Sequence, residues 1–218
     1  MKRFALCALV LALCSSLQAS EWKPLFTPDL SNAQFTEGVW SVDADGVLSA
    51  TKDDAIWSVG EYENFEISLE FKTDHGTNSG VVVYCTDLKN WIPNSVEIQI
   101  NDDSAAIANG EKPVSQNCGA VYGHLAPSKL LVKNPGEWNS MLIRCVGQSI
   151  QVTLNGEKVT DMKMSQWTSG KTNPDGSAIP AWLPKPFAEL PTKGSVGFQG
   201  KHGKSFIYFR NIKIRDAE

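Results

Sequence analysis

Between residues 65 and 72 the chain changes character at every step. Phe65, Ile67, Leu69 and Phe71 alternate with Glu66, Ser68, Glu70 and Lys72. A two-residue period sorts side chains onto the two faces of an extended backbone, so this stretch predicts a half-buried strand and cannot serve as a helix. Residues 80–85 form a continuous apolar run rich in β-branched side chains, as a central strand would. Ile150, Val152 and Leu154 alternate up to Asn155-Gly156, and residues 158–162 continue beyond. Asn-Gly between two such runs predicts a tight hairpin, because both residues tolerate positive φ. Residues 138–146 and 206–214 read as two more strands, and 40–42 and 47–50 flank a turn at Asp43-Ala44-Asp45-Gly46. No stretch sustains a capped helical period. The expectation is an all-β fold, a single β-sandwich or jelly roll.

Residues 1–19 stand apart from that pattern. Lys2 and Arg3 precede an apolar run from Phe4 to Leu13, and a short polar stretch ends at Leu17-Gln18-Ala19. This is the layout of a secretory signal peptide cut after Ala19, and the run is too short to span a bilayer. The expectation is an exported protein, periplasmic or extracellular, with one domain over residues 20–218 and no integral membrane segment after cleavage. A net charge of −4 supplies no basic footprint, which argues against a nucleic-acid partner. Cys85, Cys118 and Cys145 remain after cleavage. An exported compartment permits a disulfide among them, and three cysteines always leave one over. No two show metal-ligand spacing, which argues against a zinc site; no other metal and no cofactor is expected. Residues 168–193 carry Pro174, Pro180, Pro184, Pro186 and Pro191 beside Trp182, Leu183, Phe187 and Leu190. That segment is too proline-rich for a central strand and too apolar for a free linker, so it reads as a long loop packed on the sandwich.

One strand carries an unusual polar face. In residues 95–102, Val96, Ile98 and Ile100 point one way, and Glu97, Gln99 and Asn101 the other. The polar row either meets solvent or lines a groove, where amides suit hydroxyl-rich ligands because they donate and accept together. Retaining glycosidases need two carboxyls about 5–5.5 Å apart. Here Glu97 is followed by Gln99, an amide that cannot titrate, and then by Asp102. Ordinary two-carboxylate hydrolysis is therefore not expected.

The order of short motifs resembles the 3-keto-disaccharide hydrolase family. The pieces include Trp40-Ser41-Val42, Asp45-Gly46-Val47-Leu48, Asn78-Ser79-Gly80, Glu97-Ile98-Gln99-Ile100 and Gly119-Ala120-Val121-Tyr122-Gly123. They continue through Pro135-Gly136-Glu137-Trp138-Asn139, Asn173-Pro174-Asp175-Gly176, Gly197-Phe198-Gln199 and Phe209-Arg210-Asn211-Ile212. The resemblance covers nearly all of the chain after residue 24. It implies a concanavalin A-like jelly roll acting on glycosides oxidised to a ketone at sugar carbon 3. Two departures stand out. The family's usual arginine after Asn-Ser-Gly is replaced by Tyr84-Cys85-Thr86, and its Gln-Asp-His-Gly becomes Gln199-Gly200-Lys201-His202-Gly203.

A ketone at carbon 3 acidifies the proton on carbon 2, so one base can start an elimination that breaks the neighbouring glycosidic bond. Water then adds to complete a net hydrolysis. Such a route needs a base, a proton donor and donors for the enolate oxygen. The resemblance offers Glu97 as base and His202 as acid or second base. Arg210 is a candidate for the ketone oxygen, and Asn78, Gln99, Tyr122 and Gln199 for the hydroxyls. His124 is an alternative to His202. Trp91 is a candidate sugar-stacking platform, whereas Trp182 reads first as loop packing. Trp40, Trp57 and Trp138 read as core. Rival readings pair Glu97 with Arg210 across the sheet, or leave His202 idle. At the level of function, the rival is a noncatalytic carbohydrate-binding module on the same fold.

Overall fold

The computed structural model describes residues 20–217; the signal peptide expected at 1–19 lies outside them. The strands are β1 (Lys23–Pro24), β2 (Ala33–Gln34), β3 (Trp40–Val42), β4 (Leu48–Ala50), β5 (Ile56–Tyr62), β6 (Phe65–Thr73), β7 (Asn78–Cys85) and β8 (Val96–Asn101). A short helix, α1 (Ser104–Ala108), precedes β9 (Trp138–Val146), β10 (Ser149–Leu154), β11 (Glu157–Lys163), β12 (Gly194–Phe198) and β13 (Ile207–Asp216). One sheet runs β11-β10-β9-β6-β13-β4-β3, with β1 added on β13; the other runs β2-β5-β12-β7-β8. Neighbouring strands within both sheets are antiparallel. The fold is an all-β jelly-roll sandwich.

Its core follows the predicted parity. Phe65, Ile67, Leu69 and Phe71 are buried on β6, and Val81, Val83, Val96, Ile98, Ile100, Val196 and Phe198 are buried in the second sheet. Each such side chain contributes about 1.5–3 kcal/mol relative to exposure. Asn155 and Gly156 both take positive φ, 50° and 88°, and close the β10–β11 hairpin. The three cysteines are buried and unbridged. Burial raises all three thiols, Cys85 to about 11, so none is poised as a nucleophile.

Trp138 departs from its expected place in the core. It is partly exposed on β9, under the Arg210 guanidinium at 4.0 Å. The parity of β13 also breaks. The register against β6 shifts between Arg210 and Lys213, where Asn211 takes a φ of 54°. Phe209 and Ile214 consequently face inward while Arg210 faces out.

One buried carboxylate organises the approach to the polar strand. Asp103 accepts from Asn101 Nδ2 (2.9 Å), Asn117 Nδ2 (2.9 Å) and the Cys118 amide (2.8 Å). Asp102 accepts from the backbone of Gly76 and Ser104. These aspartates therefore tie loops together through backbone and amide donors. The chain after Asn117 then returns along β8. The Gly119 amide donates to Gln99 O (2.8 Å), the Gln99 amide to Ala120 O (2.9 Å), and the Tyr122 amide to Glu97 O (3.0 Å). Asp103→Ala would strand buried donors on two segments. We expect a loss of about 2–4 kcal/mol in urea unfolding, with Asp103→Asn recovering only part of it. An unchanged midpoint would remove Asp103 from this role.

Candidate functional site

On the face of the second sheet turned away from the core, β7 and β8 set Asn78, Glu97 and Gln99 into a cleft of about 340 Å³. That volume lies at the small end of ligand pockets, about 300–1,000 Å³. The remaining lining residues arrive from loops: Trp91 and Ile92 ahead of β8, Tyr122, Trp182 in the proline-rich segment, and Gln199 and His202 after β12. Seven of the nine residues expected from sequence thus meet in one place: Asn78, Trp91, Glu97, Gln99, Tyr122, Gln199 and His202.

Glu97 is the chemical centre of the cleft. Its carboxylate has no hydrogen-bond partner among the described residues, and burial, helped by the charge of Asp53, pushes its pKa up to about 8. Room for it comes from the neighbouring strand. A Cβ on Gly80 would stand 2.3 Å from Glu97 Oε1 and 2.8 Å from its Cγ. The missing side chain therefore lets Glu97 lie diagonally across β7. Beside it, Gln99 is 2 % exposed and donates to Asn78 Oδ1 at 2.8 Å, so the two amides fix each other's orientation. Burial, and then the Glu97 charge, raise the Tyr122 phenol above its ordinary range, while the Trp182 side chain acts in the opposite direction. Tyr122 is accordingly a hydroxyl donor at neutral pH.

His202 meets an acid that sequence reading missed. Its Nδ1 lies 2.5 Å from Asp53 Oδ2. The two loops dock backbone to backbone: the Lys201 amide donates to Lys52 O at 2.9 Å. A Cβ on Gly200 would strike Lys52 O at 2.4 Å and Asp54 O at 2.5 Å. The aspartate absent from the motif around His202 is thus answered by one from the β4–β5 connection, about 150 positions away. Nothing local in Thr51-Lys52-Asp53-Asp54 distinguishes it from an ordinary acidic turn. Gly80 did leave a signal, since a glycine opening an apolar strand marks a close approach.

Two expected residues stand outside the cleft. Arg210 projects from β13 in the other sheet, where its Nε donates to Glu70 Oε2 at 2.7 Å. It neither pairs with Glu97 nor reaches the cleft. His124 is buried beneath the proline-rich loop, stacked on Phe187 with ring centroids 3.7 Å apart, and its Nδ1 faces Tyr122 O at 2.8 Å. A carbonyl partner makes Nδ1 the protonated nitrogen and leaves Nε2 bare in the interior. Tyr84, in the place of the family's arginine, also turns inward, and its hydroxyl donates to Gly147 O. Trp57 is buried, but in a small cluster with Val82, Cys85 and Trp91 on the cleft side of the sheet. Trp182 departs from its packing expectation: it is 58 % exposed and lines the cleft.

The state of His124 has a measurable consequence. Burial pushes its imidazole down to about 4 from 6.5. The fold thus holds the neutral ring, and that stability is complete above about pH 6.5 and is lost as pH falls toward about 4. At about 1.4 kcal/mol per pH unit the loss reaches an upper value of about 3 kcal/mol. We expect unfolding free energy to fall over this window and the slope to flatten in His124→Gln. Parallel pH profiles for the two proteins would contradict the buried neutral ring.

Among the described residues, no three His, Cys, Asp or Glu side chains converge on a point that could hold a metal ion, and no helix is long and apolar enough to cross a membrane.

The likeness to known proteins extends over the whole sandwich. The profile of the 3-keto-alpha-glucoside-1,2-lyase-like domain matches residues 21–215. The crystal structure of a candidate glycosyl hydrolase from Parabacteroides distasonis is 64% identical over 90% of this chain and 100% of its own, with a TM-score of 0.85. A second candidate glycosyl hydrolase from that organism is 25% identical over 90% of this chain and 94% of its own, with a TM-score of 0.67. A carbohydrate-binding module from Bacillus subtilis, 12% identical over 88% of this chain and 99% of its own at a TM-score of 0.53, shares the fold alone. Among curated proteins none matches. With the profile spanning both sheets and every residue of the cleft, the chain belongs to the 3-keto-alpha-glucoside-1,2-lyase-like domain family.

Proposed function

We propose that the protein is an exported enzyme that cleaves the glycosidic bond of 3-keto-glycosides by elimination followed by hydration. The observation that carries this reading is the Glu97 carboxyl, without a partner in its cleft and held near a pKa of about 8. Such a group is a strong base once ionised, and no protein donor competes for its lone pairs.

Glu97 takes the proton from carbon 2. The electron pair of that C–H bond passes into an enolate with the carbon-3 ketone, whose oxygen is met by the Tyr122 hydroxyl. The enolate then collapses to form the C1–C2 double bond and break the C1–O bond. The departing alkoxide takes its proton from His202, which Asp53 orients through Nδ1. Water adds at carbon 1 and a proton returns to carbon 2, so one water is consumed and the 3-keto sugar is released. Asn78, Gln99 and Gln199 supply hydrogen bonds to the sugar hydroxyls. One carboxylate with a His–Asp pair suffices, which matches a cleft whose lining holds a single carboxylate residue.

The test is release of a chromogenic leaving group from a 3-keto-glucoside, with hydrogen–deuterium exchange at carbon 2 followed in parallel. Release with exchange by the wild type, lost in Glu97→Gln, is the expected result. Tight binding without release would leave a carbohydrate-binding module. Equal release from the unoxidised glucoside would overturn the elimination route.

A further inference from the structure

The cleft divides by chemistry. Its hydrogen-bond acceptors sit on β7, β8, Tyr122, Gln199 and His202, and three lining residues offer none: Trp91, Ile92 and Trp182, the last with its indole N–H donating to the Tyr122 hydroxyl. Two of these are exposed to a degree rare for their type among the described residues, Trp182 at 58 % and Ile92 at 42 %. They are held in place. The proline-rich loop bearing Trp182 is tied to the Ile92–Asn94 turn through Lys185 Nζ, which donates to Asn94 Oδ1. Ser95 Oγ donates to Trp91 O at 2.7 Å, and Trp91 packs edge-on against buried Trp57 with centroids 6.1 Å apart. The prolines and the buried neighbours Leu183 and Phe187 stiffen the loop, so exposing Trp182 is not a consequence of slack chain.

We infer that this wall is a subsite for the leaving group, and that the preferred substrates are 3-keto-glycosides of a flat apolar or aromatic alcohol in place of a second sugar. The inference rests on the reaction proposed above and adds its substrate class. A volume of about 340 Å³ with its polar groups concentrated on the sheet accommodates the sugar ring that is to react. A second pyranose on the wall would bring several hydroxyls to a surface of indole and isoleucine, neither of which offers an acceptor. An aromatic alcohol instead buries its face against Trp182 and its edge against Ile92, gaining apolar contact without stranding a polar group.

The experiment compares benzyl, methyl and glucosyl 3-keto-glucosides of one anomeric configuration. Binding is measured by calorimetry to Glu97→Gln, which holds them without turnover, and kcat/KM is measured on the wild type. We expect benzyl to bind about 10-fold more tightly than methyl or glucosyl. The benzyl-to-methyl ratio should fall to about one when Trp182→Ala is added and return with Trp182→Phe. Equal or tighter binding of the glucosyl compound, or a ratio unmoved by Trp182→Ala, would overturn the subsite. Because binding is read in a protein that does no chemistry, absence of turnover in the wild type would count against the proposed reaction and leave the aglycone preference separately decided.

Discussion

Glu97→Gln should lower kcat by at least about 10³-fold and, at the same time, make the protein harder to unfold at alkaline pH. The first effect follows from removing the carboxylate proposed to take the proton from carbon 2; a positioned base contributes about 10²–10⁴-fold, and a carbon acid sits at the upper end of that range. The second follows from linkage. Burial raises the Glu97 carboxyl from 4.5 to about 8, so the fold favours its protonated form. The associated stability is complete below about pH 4.5 and is lost as pH rises through about 8. At about 1.4 kcal/mol per pH unit the upper value is about 5 kcal/mol. Glutamine keeps the shape and cannot ionise, so it escapes that loss. Denaturant unfolding at pH 5 and pH 9 should therefore give similar free energies for the two proteins at the lower pH and a gap of a few kcal/mol at the higher one. A gap of the same size at both would mean that the carboxyl is not desolvated. The wild-type kcat/KM, which reports the free enzyme, should rise with pH through about 8, because only roughly a tenth of Glu97 is ionised at pH 7. A limb falling through that pH would make Glu97 the acid and hand the base role to His202. Asp53→Asn removes the nearby charge and should draw the limb toward lower pH.

How far the site could be read from residues alone depended on the range of the signal. The row Val96, Ile98, Ile100 against Glu97, Gln99, Asn101 is local, and a strand's parity carries two of its polar members, Glu97 and Gln99, into the cleft floor. The tight turn at Asn155-Gly156 was legible for the same reason. Arg210 is a cleft candidate through the resemblance alone, and it falls outside because β13 pairs with β6 in the other sheet, where Arg210 faces Glu70. β12 carries no local strand signal, since Gly-Ser-Val-Gly-Phe has little intrinsic preference for one. Its glycines are required by neighbours instead: Gly194 lies on the Tyr84–Cys85 backbone and Gly197 under the Trp57 ring. Asp53 was invisible because its role arises only where two loops dock. His124 looked chemically apt, and its burial against Phe187 depends on a proline-rich segment some 60 residues further on.

Gly80→Ala separates the position of Glu97 from its chemistry. A methyl group there would meet Glu97 Oε1, Cγ and Cδ at 2.3, 2.8 and 3.0 Å, and nothing else comes nearer. Because the contact includes Cγ, a turn of the carboxyl about its last bond gives no relief; the side chain must leave its rotamer. The backbone of β7 need not move, since Gly80 does not take a positive φ and alanine is tolerated in an extended strand. We therefore expect a stability change within about 1 kcal/mol and a fall in kcat of about 100-fold or more, because displacing a catalytic group by about an ångström costs on that order. KM should change far less, as Asn78, Gln199 and Trp182 are untouched. The displaced carboxyl gains water, so the pH limb assigned to Glu97 should move down toward 4.5 as activity falls. A variant with wild-type kcat would show that the carboxyl has no fixed station over β7. One with an unmoved limb would show that the titrating group is another. The pairing of a bare glycine on one strand with a lone acid on the next makes the site a property of the sheet itself, and the loops bring only the partners.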